Sequence, residues 1–156
     1  MEGFATDVLP FVPAMLGYAG LSAVVLRSAR GELPEALWRV CVVVIVTHVA
    51  LVWGVRYQGQ LSHATRNGYA GFLIFHGALG GIVASALLRG RAALALVRAS
   101  FAVVTLGAVG AVFRYEAVAV YRVPVLLCAA AGVAGLARVC FQDGALKSVI
   151  DAREDA

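Results

Sequence analysis

Five runs of predominantly apolar residues, each about as long as a membrane-spanning helix, occupy most of the 156-residue sequence. They cover about 8–26, 37–55, 69–88, 92–113 and 123–141. A helix that crosses the hydrocarbon core of a bilayer needs about 20 such residues, with a range of about 17–25. The sequence therefore predicts an all-α integral membrane protein, a bundle of five transmembrane helices that forms one domain over about residues 1–142.

The composition excludes other classes of protein. Hydrophobic residues make up 62% of the chain and charged residues 14%, whereas soluble domains have about 45–50% and about 25%. A water-soluble fold is excluded on that ground, and disorder is excluded because the charge is too sparse. Little sequence remains for an extramembrane catalytic domain, so an enzyme is the less favoured interpretation.

The fourth run is the least regular of the five, because Arg98 lies inside it. Either the helix begins after Arg98, or the side chain extends along the helix to the membrane surface. The alternative fold has four spans and one interfacial helix over 92–113. We favour five spans because the apolar core of this run is continuous.

The distribution of basic residues predicts the orientation. With the N-terminus outside, nine Lys and Arg residues lie on the inner side, and Arg56, Arg66, Arg114 and Arg122 lie on the outer side. Cytoplasmic loops carry the excess of Lys and Arg, so we expect the N-terminus outside, the C-terminus inside, and a multi-pass protein of a bacterial-type inner membrane. The acidic start of the chain lacks the positive region of a signal peptide, so we expect the first run to be retained. Residues 143–156 are interpreted as a short amphipathic cytoplasmic tail.

Small residues recur at helical spacing in several runs. Gly77 and Gly81 lie four residues apart in the third run, and Gly132 and Gly135 lie in the fifth. Small residues let membrane helices approach closely. Packing within one bundle is favoured over a dimerisation seam because four runs share the trait. The three cysteines, Cys41, Cys128 and Cys140, form no metal-ligand spacing, and we interpret them as packing residues.

Two histidines within apolar runs are the principal candidates for chemistry. His48 lies seven residues before the end of the second run, and His76 lies seven residues after the start of the third. At 1.5 Å per residue, each is about 10 Å from the loop that joins the two runs. Because consecutive helices with a short loop are antiparallel, we expect the two imidazoles at nearly the same depth. His63, in the polar loop, is interpreted as a solvated side chain.

Several roles are open to this pair. His48 and His76 are candidate axial metal ligands of a b-type haem, with Arg56 and Arg66 as partners of its propionates. Alternatively, the two histidines bind a quinone head group. The alternative is structural, with each histidine hydrogen-bonded to a carbonyl or hydroxyl group of the bundle. Ionisable residues inside a membrane mark functional sites by default.

The sequence therefore favours an integral subunit or interaction partner within a larger membrane complex, such as a respiratory or electron-transfer assembly. A haem- or quinone-binding subunit is the first alternative, and a small-solute transporter or channel is the second. The expected partners are the lipid bilayer and a membrane protein or a second copy of the chain. The net charge of +4 suits anionic lipid, and the scattered Lys and Arg residues give no nucleic-acid-binding stripe.

Overall fold

The computed structural model describes residues 11–66 and 68–154, with side chains described as far as residue 141 except that of residue 117. Within these residues the chain is helical and contains no strand. The five long helices are α1 (Phe11–Arg27), α2 (Glu35–Leu51), α3 (Tyr69–Leu87), α4 (Gly90–Arg114) and α5 (Arg122–Glu154). Shorter elements lie between them: a 3-10 helix Ser28–Arg30, a π-helical turn Val52–Arg56, a one-turn helix Leu61–Ala64 and a 3-10 helix Glu116–Tyr121.

Five helical segments are long and apolar enough to cross a membrane, which confirms the predicted all-helical fold and the number of candidate spans. They are Phe11–Arg30, Glu35–Arg56, Tyr69–Leu87, Gly90–Arg114 and Val118–Phe141. The predicted start of the first run, near residue 8, lies outside the described residues. The orientation of the bundle stays a prediction.

The ends of two helices differ from expectation. Helix α4 begins at Gly90 rather than near residue 92 or after Arg98. Helix α5 continues through Gly144 to Glu154 as one helix, whereas the sequence suggested a separate tail after residue 141. A glycine within a helix costs only about 1 kcal/mol relative to alanine, so Gly144 does not by itself end one. The amphipathic face predicted for 143–156 lies outside the described side chains.

Helix α1 lies at the centre of the bundle. It packs extensively against α2 and α5 and also contacts α4, whereas α3 packs mainly against α4 and has a smaller contact with α2. Leu21, Val24 and Val25 of α1 are fully buried, as are Val97 and Phe101 of α4. The core is therefore built around α1 and α4.

The four glycines predicted to pack helices occupy different environments. A β-carbon on Gly135 would lie 2.7 Å from the Cα atom of Leu26, and one on Gly81 would lie 2.8 Å from the Ser100 Oγ atom. A β-carbon on Gly132 would overlap the ring of Phe101. For Gly77, no described atom beyond its own helix lies within 4 Å of such a carbon. Three of these glycines thus lie at contacts within the bundle.

Arg98 reaches the end of a neighbouring helix. Its Nη2 atom donates a hydrogen bond to the carbonyl oxygen of Ser28, at a distance of 2.8 Å. The same carbonyl accepts the backbone N–H of Gly31, which ends the 3-10 helix after α1. A cation is stabilised by the partial negative charge at a helix C-terminus. The arginine is therefore held by a carbonyl at the end of α1 although it lies inside an apolar helix.

Candidate functional site

An apolar cavity of about 310 Å³ lies between the five helices. Its wall includes the start of α1, the later part of α4 and the start of α5. It therefore lies toward the end of the bundle that carries Arg56, Arg114 and Arg122, which we call the outer end after the predicted orientation. Binding pockets for small molecules have volumes of roughly 300–1,000 Å³ and are lined mainly by apolar side chains. The cavity is at the small end of that range.

Small residues in facing helices leave this space open. Ala14 and Gly17 line the cavity from α1, and Gly107, Ala108 and Ala111 line it from α4. No described atom beyond the helix lies within 4 Å of where a β-carbon on Gly107 would be. A larger side chain at Gly107 would therefore have room to extend, whereas a β-carbon on Gly17 would lie 2.8 Å from the Cγ1 atom of Ile45.

Polar groups in the wall are few. His48 of α2 contributes an imidazole, and Tyr18 of α1 and Tyr121 of the 3-10 helix before α5 each contribute a phenol. The hydroxyl of Tyr18 donates to the Thr105 Oγ1 atom of α4 over 3.0 Å. The ring of Tyr18 stacks on that of Phe101, with centroids 6.2 Å apart and planes 8° apart. The Tyr18 ring is thus fixed in place, and His48 is the ionisable imidazole in the wall.

His76 has different surroundings. The wall includes its neighbour Phe75 but not His76 itself. The Nδ1 atom of His76 lies 2.8 Å from the carbonyl oxygen of Phe72, and Trp53 Nε1 donates to Nε2 of His76 over 3.2 Å. Because a carbonyl only accepts and the indole N–H only donates, the proton of the neutral imidazole lies on Nδ1. Both ring nitrogens of His76 therefore have partners in the bundle.

Aromatic rings surround the His76 imidazole. The ring centroid of Phe72 lies 3.9 Å away, and those of Phe75 and Trp53 lie 5.9 Å and 6.0 Å away. Trp53 was not among the residues predicted to contact either histidine. A tryptophan near the end of an apolar run is typical of the membrane interface, and this signal does not indicate a histidine partner.

The outer arginines lie over aromatic rings. The Arg56 guanidinium carbon lies 5.8 Å from the ring centroid of Phe11, a wall residue. Arg122 lies 5.7 Å from the ring of Phe113, and its Nε donates to the carbonyl oxygen of Val112, another wall residue, over 2.9 Å. These distances fit cation–π contacts. Two arginines thus lie beside the outer rim of the cavity.

The remaining predicted residues lie apart from the cavity. Arg66 is in an exposed turn after the one-turn helix, and His63 is exposed within that helix. Cys41 is buried and its Sγ donates to the carbonyl oxygen of Gly17 over 3.4 Å, whereas Cys128 is half-buried and Cys140 is exposed. The structure therefore brings His48 and Arg56 to the cavity and leaves Arg66 outside it.

Comparisons with protein-family models, with curated proteins and with solved structures find no match to this chain.

Proposed function

We propose that the protein binds a lipid-soluble quinone in the outer cavity, as a subunit of a membrane electron-transfer assembly. The observation that carries the proposal is the presence of the His48 imidazole in the wall of a mainly apolar cavity between the helices. A quinone has an apolar ring and tail and carbonyl oxygens that accept hydrogen bonds. An apolar site with few polar groups that fix the orientation of its ligand suits such a molecule.

Different residues bind different parts of the quinone in this proposal. The imidazole of His48 donates to a quinone carbonyl, while the stacked Tyr18 and the small residues of α4 shape the apolar part of the site. Arg56, near the outer rim over Phe11, places a fixed positive charge near the head group and favours a reduced, anionic form. Because a quinone exchanges electrons with a second redox centre, the proposal includes a membrane partner.

The haem alternative has less support from this geometry. Bis-histidine ligation needs a ring nitrogen of each histidine directed at one iron. His76 would have to give up its contact with Trp53 or with Phe72 and turn toward the cavity. A volume of about 310 Å³ also suits a single ring better than a tetrapyrrole.

Quinone content of the purified protein tests the proposal. Protein extracted from quinone-containing membranes in mild detergent should carry about one quinone per chain, measured by solvent extraction and chromatography. His48→Leu removes the donor and Gly107→Leu fills the cavity. Each should lower the quinone content about tenfold, which corresponds to about 1.4 kcal/mol of binding free energy.

Matched controls separate cavity binding from adhering lipid. Gly110 lies on the same helix, one turn from Gly107, is exposed and is not part of the wall. Gly110→Leu, and His63→Ala in the loop, should retain the wild-type quinone content. Equal content in the cavity variants and the controls would overturn the proposal.

A further inference from the structure

The helices around the outer cavity pack unequally against one another. Helix α2 packs against α1, α1 against α5, α5 against α4, α4 against α3, and α3 against α2. All five contribute residues to the wall of the cavity. The contact between α2 and α3 is the smallest of these five. A molecule that passes from lipid into the cavity therefore separates the least packing at the boundary of α2 and α3, which we call the α2–α3 seam.

The neighbouring boundaries are closed by short contacts. Between α1 and α2, the Sγ atom of Cys41 lies 3.4 Å from the carbonyl oxygen of Gly17. Between α3 and α4, Ser100 Oγ donates to the carbonyl oxygen of Ala78 over 3.1 Å. Gly135 of α5 lies directly against the backbone of α1. Backbones this close leave no passage for a ring between these helices.

The cavity reaches the surface of the bundle at the α2–α3 seam. Helix α2 contributes Ile45 and His48 to the wall, and α3 contributes Phe75, Leu79 and Ile82. Phe75 is also 39% exposed. It lies within the apolar segment Tyr69–Leu87, where an exposed side chain of a spanning helix contacts lipid. Phe75 therefore borders both the cavity and the lipid.

A hydrogen bond crosses this seam beside Phe75. Trp53 of the π-helical turn donates to Nε2 of His76, the next residue after Phe75, over 3.2 Å. The two rings lie edge to face, with centroids 6.0 Å apart and planes at 80°. Trp53 is five residues beyond His48, about 7.5 Å along the helix. The indole thus joins α2 to α3 on the outer side of the cavity.

The backbone that carries this indole is irregular. Trp53 lies in the π-helical turn Val52–Arg56, and Gln58 shortly after it has a φ of 51°, in the left-handed region. π-helical turns occur frequently at functional sites. Left-handed residues other than glycine are strained and cluster at ligand clamps and switch regions. The outer end of α2 therefore has the features of a segment that rearranges in function.

We propose that the quinone enters and leaves the outer cavity sideways, from the lipid through the α2–α3 seam, and that the Trp53–His76 hydrogen bond is the latch of this entrance. This inference rests on the proposed function. The head group passes Phe75 to reach His48. The tail is too long for a cavity of about 310 Å³ and extends along the seam into the lipid. A latch changes the rates of entry and exit by the same factor and leaves the affinity unchanged.

Quinone exchange measures the latch. Full-length protein is immobilised in detergent, loaded with a deuterated ubiquinone analogue that has a decyl tail, and washed with the unlabelled analogue. The label that stays bound is followed over time by mass spectrometry. Trp53→Phe and His76→Phe should each release it about fivefold faster than the wild type, the effect of losing one hydrogen bond from the closed state. The content before the wash should equal that of the wild type.

A variant altered elsewhere controls for general loosening of the bundle. Arg98→Met removes the hydrogen bond from the guanidinium to the Ser28 carbonyl, and neither residue belongs to the cavity wall or the seam. This variant should release the label at the wild-type rate. Release as fast as that of the latch variants would overturn the proposal, as would a large loss of bound quinone from the latch variants, because a latch does not change affinity.

Covalent closure of the seam gives the opposite test. In a background without native cysteines, Trp53→Cys and His76→Cys are bridged after loading by a bifunctional methanethiosulfonate reagent. Bridging should slow release at least tenfold, and a reducing agent should restore it. The matched control is Gly20→Cys with Cys41 retained. A β-carbon on Gly20 would lie 3.5 Å from that of Cys41, a separation found in disulfides. This disulfide ties α1 to α2 and should leave release unchanged.

The outcomes separate the two proposals. Absence of quinone from the loaded wild type would overturn the proposed function and the entrance with it. Normal quinone content, with release that neither the latch variants nor the bridge alters, would overturn the entrance alone. Slowing by the Gly20→Cys disulfide equal to that by the α2–α3 bridge would also overturn it, because the route would then not be specific to this seam.

Discussion

Trp53 donates its indole N–H to Nε2 of His76 across 3.2 Å, which joins the π-helical turn at the end of α2 to the middle of α3. The contact between α2 and α3 is otherwise smaller than that between α3 and α4. This hydrogen bond therefore stabilises the small contact between α2 and α3. It also sets the tautomer of His76, because the Nδ1 proton is directed at the Phe72 carbonyl.

Removing either partner of this hydrogen bond should loosen α3. Trp53→Phe and His76→Phe should each lower the free energy of unfolding in detergent by about 1 kcal/mol, and a double-mutant cycle should give a coupling of about 0.6 kcal/mol, typical of hydrogen bonds between membrane helices. Additive effects of the two substitutions would contradict the interaction. His63→Ala, at an exposed loop position, is the neutral control.

The helices were predictable and their rotation was not. The five apolar runs are dictated by the thickness of the bilayer, so their number follows from hydropathy alone. The ring partners of His76 depend on how α2 and α3 turn about their own axes. A helix that is apolar on every face carries little information about that rotation. The placement of His48 and His76 within apolar helices could therefore be predicted, whereas Trp53 as a partner of His76 could not.

The outer cavity and the indole of Trp38, which is unpaired among the described residues, also could not be predicted from the sequence. The outer cavity is lined by small residues of two helices, among them Gly17, Gly107 and Ala108, whereas equally small residues such as Gly77 lie outside its wall. The unpaired indole of Trp38 becomes visible only when all its neighbours are placed. The wall of the outer cavity, for example, includes residues from all five long helices.

The optical spectrum distinguishes the two cofactor hypotheses. Protein from haem-replete cells should be colourless, because both ring nitrogens of His76 have partners within the bundle. A Soret band in the wild-type protein that is lost in both His48→Ala and His76→Ala would instead support bis-histidine haem. Both variants should still insert, since alanine is more apolar than histidine.

Cysteine labelling tests the predicted orientation. In a background where Cys41, Cys128 and Cys140 are replaced by alanine, a single cysteine at Gln58 should react with a membrane-impermeant thiol reagent in intact cells. A cysteine at Arg89 should react only after the membrane is opened, because the excess of Lys and Arg lies on that side. The reverse pattern would show that the N-terminus is inside.

The half-buried guanidinium of Arg98 should contribute to stability through Ser28. Its hydrogen bond to the Ser28 carbonyl measures 2.8 Å, and hydrogen bonds to charged groups contribute about 1.5–3 kcal/mol. Arg98→Met, which keeps the length and apolar stem of the side chain, should lower the free energy of unfolding by about 1–2 kcal/mol. Arg91→Met, on the exposed first turn of α4, should have little effect. Equal effects of the two substitutions would contradict this role.

Alanine substitution separates the glycines at helix contacts from those outside them. A β-carbon at position 135 would lie 2.7 Å from the Cα of Leu26 and 2.8 Å from the carbonyl oxygen of Val25. Because both atoms belong to the backbone of α1, the helices themselves must separate. Gly135→Ala should therefore lower the free energy of unfolding by about 1–3 kcal/mol, as overpacking does. Gly77→Ala meets no described atom within 4 Å, and the better helix propensity of alanine should leave stability unchanged or raise it by up to about 1 kcal/mol.

Both variants are measured by unfolding in mild detergent. If Gly77→Ala is as destabilising as Gly135→Ala, α3 has a close neighbour at that position in the folded state, such as a second copy of the chain. Stability of the Gly77→Ala variant that depends on protein concentration would then identify that neighbour as a self-association surface.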